Sequence, residues 1–312
     1  MKKEAFLGID TSNYTTSCAL ITEDEYFQNR KLLPVEKGKL GLRQSEAVFS
    51  HVKALSGLIE GLMKDKEEYC IKAIGVSVSP RDHEDSYMPC FLVGKMTAES
   101  IASVLHVPVY YFSHQAGHIS AGAYSADCTE LLEKSFAAFH ISGGTTECVK
   151  VNDLKARDVE IIATSNDLHA GQVIDRCANI LGLSFPGGKE LDALSLKSEK
   201  KFKNKIKMQG GNPCFSGIEN QCRDMLKKGC EPCDIARFCL DSLVSGLKGM
   251  VDYARENYGC REFLFAGGVA ANTIVRKELS SHCKAHFASL ELSGDNAVGV
   301  AFLAMQKYKE EV

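Results

Sequence analysis

Twice in this chain a short apolar run empties into a turn rich in hydroxyls and returns as a second apolar run. Phe6 to Ile9, the polar stretch Asp10-Thr-Ser-Asn-Tyr-Thr-Thr16 and Ser17 to Ile21 make the first. Phe136 to Ile141, Ser142-Gly-Gly-Thr-Thr-Glu147 and Cys148 to Val151 make the second. Each reads as a β-hairpin, because runs of strand formers bounded by turn residues pair most simply with each other. The order repeats although the residues differ, which points to an internal duplication: two lobes, each opening with a hairpin whose tip faces a shared cleft. Strand-like and helix-like runs alternate in both halves, so an α/β architecture is expected rather than a separate helical domain. A chain of 312 residues with 45% hydrophobic residues can bury two such cores.

The intervening elements follow from periodicity. Val48, Val52, Leu55, Leu58, Ile59 and Leu62 recur at helical spacing and predict a helix from Ser45 to Met63, with Ser45 or Ser50 as its cap. Ala73 to Val78 reads as a strand feeding the ionisable loop Pro80-Arg-Asp-His-Glu-Asp85. Phe91 to Leu105 reads as a helix, and Pro108 opens a strand that runs to His114. In the second half, Val159 to Ala163 is strand-like, Val173 to Leu181 and Glu190 to Leu196 are helical, and Ile235 to Ala254 marks a long amphipathic helix. Lys197 to Lys207 is lysine-rich, with Phe202 and Ile206 interleaved, and reads as a solvated helix face. Phe263 to Asn272 is a strand running into a glycine pair, and Asp295-Asn296 is expected to cap the last helix.

The formal net charge of −3 argues against bulk polyanion binding and confines any nucleic-acid contact to a local basic patch such as Lys197 to Lys207. No apolar span approaches membrane length, and the N-terminus lacks a signal-peptide core, so a cytoplasmic protein without membrane contact is expected. Thirteen cysteines then read as reduced thiols. Among Cys214, Cys222, Cys230, Cys233 and Cys239 only Cys230-Glu-Pro-Cys233 has C-x-x-C spacing, and no second pair completes it. Core and loop thiols are therefore preferred to a metal cluster there.

Three features carry chemistry. His114 and His118 stand at i and i+4, so a helix puts both imidazoles on one face, and a carboxylate from Asp295 would complete a two-His, one-carboxylate metal site with open positions. Glycine-rich turns at Ser142-Gly143-Gly144-Thr145, Pro186-Gly187-Gly188 and Ala266-Gly267-Gly268 let a backbone approach a phosphate or ribose closely, although none matches the P-loop or dinucleotide fingerprint. Asp175 and Asp192 flank the second turn, where a carboxylate can accept hydrogen bonds from ribose hydroxyls. Asp10, Ser12 and Tyr14 on the first turn and Arg81 in the charged loop are the candidate catalytic groups.

In this context the chain resembles the TsaD/Kae1/Gcp family, tRNA threonylcarbamoyladenosine transferases once described as O-sialoglycoprotein endopeptidases. The motifs are Gly8-Ile-Asp-Thr-Ser12, His114-x-x-x-His118, Ile141-Ser-Gly-Gly144, Val173-Ile-Asp-Arg176 with Leu181-Gly-Leu-x-Phe-Pro-Gly-Gly188, Phe215-Ser-Gly217, Ala266-Gly-Gly-Val-Ala-Ala-Asn272 and Ser293-Gly-Asp-Asn-Ala297, in family order. The resemblance implies a two-lobed actin-like ATPase (ASKHA) fold with a nucleotide and metal cleft between lobes of residues 1–125 plus 295–312 and residues 126–294. It implies that His114, His118 and Asp295 hold iron or zinc. Ser142, Gly143, Gly144, Thr145, Asp175, Gly188, Asp192 and Asn272, together with the Gly267-Gly268 turn, would hold ATP, AMP or an acyl-adenylate. It further implies carbamoyl transfer to N6 of adenosine 37 in tRNA, with TsaB-like and TsaE-like proteins or a second copy of the chain as partners.

The departures cluster in the expected catalytic region. Where the family usually has Thr-Ser-Cys-Asp-Glu, this chain has Thr11-Ser12-Asn13-Tyr14-Thr15. Ser-Gly-Gly-His-Thr becomes Ser142-Gly-Gly-Thr145-Thr146, and a Gly-Pro-Gly loop becomes Ser79-Pro80-Arg81. The chain reads as a diverged paralogue, and two competing readings follow: carbamoyl or acyl transfer to another acceptor, and a non-catalytic nucleotide-binding regulatory or assembly subunit. The peptidase reading is disfavoured, because His-x-x-x-His lacks the glutamate that activates water in His-Glu-x-x-His.

Overall fold

The computed structural model describes residues 2–12, 14–34, 42–83, 85–155 and 157–312. Asn13 and Glu84, which help to set the first turn and the charged loop apart, lie outside the described residues. The chain forms two compact units, one of Met1–Thr129, Asp153–Asp158 and Glu291–Val312, the other of Glu130–Asn152 and Val159–Leu290. The short segment Asp153–Asp158, assigned by sequence to the second lobe, belongs to the first unit.

In the first unit, β1 (Lys3–Ser12) pairs antiparallel with β2 (Thr15–Ile21), which pairs antiparallel with β3 (Tyr26–Leu32). After α1 (Gln44–Met63), β4 (Tyr69–Ser79) lies parallel to β1. After α2 (Phe91–Leu105), β5 (Val109–Ser113) lies parallel to β4, giving the order β3-β2-β1-β4-β5. Helix α3 (His114–Ser125) follows without a linker, and the C-terminal helix (Val298–Glu311) closes the unit.

Strand β1 is covered on both faces, and its period of two sorts the side chains. Ala5, Leu7 and Ile9 join the core formed with Leu55 and Leu62 of α1 and Val93, Ala98 and Ala102 of α2. Phe6 and Gly8 face the C-terminal helix: the Phe6 ring meets Tyr308 edge-on, and a Cβ at Gly8 would collide with the Ala297 carbonyl. The parity continues into Asp10, which therefore points to the helical side away from α1 and α2.

The first hairpin is tighter than its polar stretch suggests. Pairing runs through Asp10↔Ser17, Thr11↔Thr16 and Ser12↔Thr15, so these residues are strand, not tip, and Asp10, Thr11 and Ser12 are buried. At helix ends one expectation fails and another holds only for Asn296. Helix α1 begins after Arg43, whose N–H is held by Glu46, and neither Ser45 nor Ser50 caps it. Asp295 does not cap the C-terminal helix either, because Asn296 accepts the N–H groups of Val298 and Gly299.

The second unit repeats the strand succession. β6 (Phe136–Ile141) pairs antiparallel with β7 (Thr146–Asp153), and β8 (Asp158–Thr164) flanks β7. Helices α4 (Ala170–Ile180) and α5 (Gly188–Ser195), the two-residue strands β9 (Met208–Gln209) and β10 (Asn212–Pro213), α6 (Ser216–Lys227) and the long α7 (Pro232–Tyr258) follow. β11 (Glu262–Ala266) lies parallel to β6, and after α8 (Thr273–Ser280), β12 (Lys284–Phe287) lies parallel to β11. The order β8-β7-β6-β11-β12 matches β3-β2-β1-β4-β5, the duplication expected from the two hairpins. Lys197 to Lys207 is not helical. From Lys201 to Lys207 it alternates, with Lys201, Lys203, Lys205 and Lys207 exposed and Phe202, Asn204 and Ile206 turned inward. Among the described residues no helix is long and apolar enough to cross a membrane.

The C-terminal helix approaches its neighbours at glycines. A Cβ at Gly75 of β4 would overlap the Val300 carbonyl, and one at Gly299 would overlap the Gly117 carbonyl of α3. Gly299→Ala is expected to lower unfolding free energy by about 1–3 kcal/mol or more, because backbone cannot yield as a side chain would. Gly57→Ala on α1, where nothing lies within 4 Å, should instead stabilise by up to about 1 kcal/mol. Urea unfolding of both variants checks the pair.

Candidate metal centre and nucleotide pocket

The candidate metal centre is built within the first unit where β5 becomes α3. Ser113 Oγ accepts the Ala116 N–H at 3.0 Å and so caps the helix, fixing the register of His114 and His118 one turn apart. Their rings meet edge-on with centroids 4.4 Å apart and Nε2 atoms 2.9 Å apart. Asp295 Oδ1 lies 3.5 Å from His114 Nε2 and 3.3 Å from His118 Nε2. The turn that presents Asp295 is held by Asn296, whose amide donates to the carbonyls of Leu292 and Gly294.

These separations fit an ion. Ligands about 2.1 Å from a metal at tetrahedral or octahedral angles stand about 3.0–3.4 Å apart. Two imidazoles and one carboxylate leave coordination positions open, the pattern of catalytic rather than structural centres. His114 Nδ1 lies 2.9 Å from Asp10 Oδ1, so a neutral His114 donates there and keeps its Nε2 lone pair for the ion. Ser77 donates to the same Asp10 oxygen, and the Ser12 N–H donates to the other at 3.3 Å. Asp10 is only 1% exposed and its carboxylate is committed to these partners. It therefore stands in a buried strand behind His114 and not at the turn tip that the sequence suggests.

Electrostatics follows from the geometry. Burial works against a charge on His114, but Asp10 and then Asp295 outweigh it and push the imidazole up to about 10. Burial likewise works against both carboxylates. The His114 charge and hydrogen bond hold Asp10 below the usual range, and hydrogen bonds and charge from His114 and His118 hold Asp295 far below it.

The other catalytic candidates are placed less tightly. Ser12 Oγ is buried without a hydrogen-bond partner, while Tyr14 is 41% exposed at the hairpin turn. Arg81 has its N–H on Ser86 and its carbonyl on Ser79. The arginine that pairs with the charged loop is Arg157, whose Nε lies 2.7 Å from the buried Asp82. Asp82 in turn accepts from Ser113, the α3 cap. Sequence spacing gives no sign of Arg157 or of Ser77, since both act across distant strands.

A separate cavity of about 630 Å³ lies in the second unit. Seven expected residues line it: Ser142, Gly143, Asp175, Gly188, Asp192, Gly268 and Asn272. Gly144, Thr145 and Gly267 do not. Gly144 and Thr145 close the turn, their N–H groups bonded to Ser142 Oγ, and Gly267, with φ +97°, packs on the Ile141 backbone. Asn272 Oδ1 caps α8 by accepting from Ile274 and Val275. Asp175 steadies the second turn through the Gly187 N–H at 2.9 Å. Asp192 Oδ2 accepts from Thr273, while its Oδ1 is buried without a partner, an orphaned acceptor in the cavity wall.

Sequence reading missed Gly171, Ile174, Lys189, Val269, Ala271 and Leu290, which also line the cavity. Lys189 stands in the first turn of α5, whose N-terminus favours an anion, the first-turn N–H groups of Ala170 and Gly171 in α4 are taken by Thr146 and Ser142, and Ile174, Val269 and Leu290 supply apolar wall. Lys189 directly after Pro186-Gly187-Gly188 was the available signal. A cavity of this size with an acceptor, a cation, a helix N-terminus and apolar walls suits a nucleotide.

Metal binding and protonation compete at His114. A group with a raised folded pKa contributes stability fully below its unfolded value of about 6.5, and that contribution is lost as pH rises toward 10. Metal-free protein should therefore lose stability between about pH 6 and pH 9, while apparent affinity for a divalent ion rises over the same window as His114 releases its proton. The gap in Tm between loaded and metal-free protein should widen with pH, read by differential scanning fluorimetry. His118→Ala should abolish stoichiometric binding, and Asp10→Asn should weaken it by about 10–100-fold.

The sequence profile of the tRNA N6-adenosine threonylcarbamoyltransferase family, TsaD, matches residues 36–302. The enzyme of that name from Thermus thermophilus is 28% identical over 309 residues, covering 97% of this chain and 93% of its own. That from Streptococcus pneumoniae is 28% identical over 329 residues, covering 100% and 94%. Among solved structures, component A of the Acidaminococcus fermentans (R)-2-hydroxyglutaryl-CoA dehydratase superposes with a TM-score of 0.55 at 17% identity, covering 98% of this chain and all of that one. Full-length HypF in its phosphate- and nucleotide-bound form superposes at 0.61 and 13% identity, covering 99% of this chain and 56% of HypF. These likenesses identify the actin-like (ASKHA) fold, and the extent of the profile match shows that the chain belongs to the tRNA N6-adenosine threonylcarbamoyltransferase family.

Proposed function

We propose that this protein is a metal-dependent transferase that moves a threonylcarbamoyl group from an acyl-adenylate to N6 of adenosine 37 in tRNA. The observation that carries the reading is the convergence of His114, His118 and Asp295 at ligand spacing, with Asp10 fixing the His114 tautomer. A divalent ion, iron or zinc, held by those three residues would supply Lewis-acid polarisation and charge neutralisation at the acyl-phosphate.

The chain's own residues do the rest. Asp192 would accept from a ribose hydroxyl, Ile174, Val269 and Leu290 would meet the adenine face, and Lys189 with the α5 N-terminus would meet phosphate. In the transfer, the N6 nitrogen forms a bond to the carbamoyl carbon, the bond from that carbon to the AMP oxygen breaks, AMP leaves with the electron pair, and the N6 proton passes to solvent. Lys201, Lys203, Lys205 and Lys207, exposed on alternate positions of an extended segment, form the tRNA contact. TsaB-like and TsaE-like proteins, or a second copy of the chain, are its partners in this reading.

A second acceptor is favoured by one feature: Tyr14 stands exposed where relatives of this family carry acids, and the remaining acid of the stretch, Asp10, is buried behind His114. Incubation with threonylcarbamoyl-adenylate and unmodified tRNA, with and without partner proteins, separates the readings. Modified nucleoside by mass spectrometry supports the tRNA transferase. AMP release without it, under conditions where an authentic relative modifies tRNA, supports another acceptor, and binding without turnover supports a regulatory subunit. Replacing the four exposed lysines by glutamate should raise KM for tRNA at least about tenfold with kcat within about twofold, and should flatten the salt dependence of binding.

A further inference from the structure

The second unit brings three cysteines to one point. Cys177 of α4, Cys222 of α6 and Cys239 of α7 are each fully buried. The Sγ atoms of Cys177 and Cys222 are 3.6 Å apart, and the sulfurs of all three lie within 4.8 Å of one another. They are not the C-x-x-C pair: Cys230 and Cys233 are partly exposed and stand outside the group. The cysteines come from three helices distant in sequence, so no spacing motif marks them.

We infer that Cys177, Cys222 and Cys239 form a second metal site, a three-sulfur cage for one soft, thiophilic ion of the Cu(I) or Zn(II) kind. Sulfurs bound about 2.3 Å from a common ion stand about 4 Å apart in trigonal or tetrahedral geometry, and the observed spacing brackets that value. An all-sulfur donor set selects soft ions over the hard ions that carboxylate and carbonyl oxygens hold. The surroundings agree, since Ile218, Ile235 and Leu243 belong to the same buried cluster and exclude water and competing oxygen ligands. Binding forms one metal–sulfur bond per cysteine, breaks the S–H bonds of the thiols that ionise and releases those protons to the buffer, with no change of oxidation state. The site ties α4 to α6 and α7. Because Gly171, Ile174 and Asp175 of α4 line the cavity, occupancy rigidifies one cavity wall without contacting its ligand.

The test uses the full-length chain, reduced and stripped of metal, titrated separately with Cu(I) against a competing chelator and with Cd(II) as a reporter for Zn(II). Sulfur-to-metal charge-transfer absorption is the readout, because the nitrogen and oxygen ligands of the His114 centre cannot produce it. One equivalent per chain is expected, with the band lost in Cys222→Ser and kept in a Cys230→Ser, Cys233→Ser double variant. A band with Cu(I) alone identifies the monovalent ion, and a band with both identifies the class. Should Cys222→Ser fail to fold by circular dichroism, the volume-conserving Cys239→Val and a metal-dependent rise in wild-type Tm serve instead. Absence of a band, its loss in the double variant, or its persistence in Cys239→Val would overturn the inference.

Discussion

The first unit depends on how closely its C-terminal helix approaches the sheet and α3. Gly8 and Gly75 on adjacent parallel strands, and the pair Gly117 and Gly299, remove the side chains that would hold the backbones apart. Small residues continue along the helix, with Ala301 against Gly8 and Ala304 against Gly75. This contact, made of backbone and methyl groups, sets where the helix begins, and hence where Asp295 sits just before it. A carboxylate brought from position 295 to the histidine pair at 114 and 118 is only as precise as that packing.

The carboxylate beneath the centre works by the same logic. Alternation along β1 sends Asp10 to the side of α3, and alternation along β4 sends Ser77 to the same side as Gly75. A buried carboxylate is costly unless it is bonded, and here Ser77, the Ser12 N–H and His114 satisfy it. The result is an imidazole with one nitrogen anchored and the other free to ligate. In protein that lacks the ion, Asp10 and then Asp295 favour a proton on His114 against the cost of its burial.

Much of the architecture is legible from period alone. The helix Phe91–Leu105 has the bounds its pattern predicts, and the two hairpins announce the repeated sheet order. The His114 and His118 pair is legible because one helical turn fixes it. The errors share a cause, which is that local patterns were given local partners. Asp295 looks like a helix cap, yet its neighbour Asn296 takes that role and leaves the carboxylate for two histidines far away in sequence. Asp10 looks like a turn residue, yet register puts it in a buried strand. The lysine run looks helical by composition, and Phe202 and Ile206 at i and i+4 would share a helix face as readily as a strand face; only the strict alternation that adds Asn204 to the inner side marks the segment as extended. Arg157, Ser77 and the three buried cysteines have no local signature, because their partners are assembled by tertiary contacts.

The parts of the chain that match the family's motifs and those that depart from them therefore separate along a physical line. Residues tied into the backbone packing, among them Gly8, Asp10, His114, His118 and Asp295, match the family's motifs, and changing any one would disturb several partners at once. Tyr14 is exposed at the hairpin turn, and Arg81 lies in the charged loop, where its backbone bonds Ser79 and Ser86. In the proposed reading, a change at Tyr14 can alter the acceptor while the arrangement of His114, His118 and Asp295 stays as it is. The three-sulfur cluster lies on the other side of that line, since fully buried positions on three helices must change together or leave a cavity or a clash.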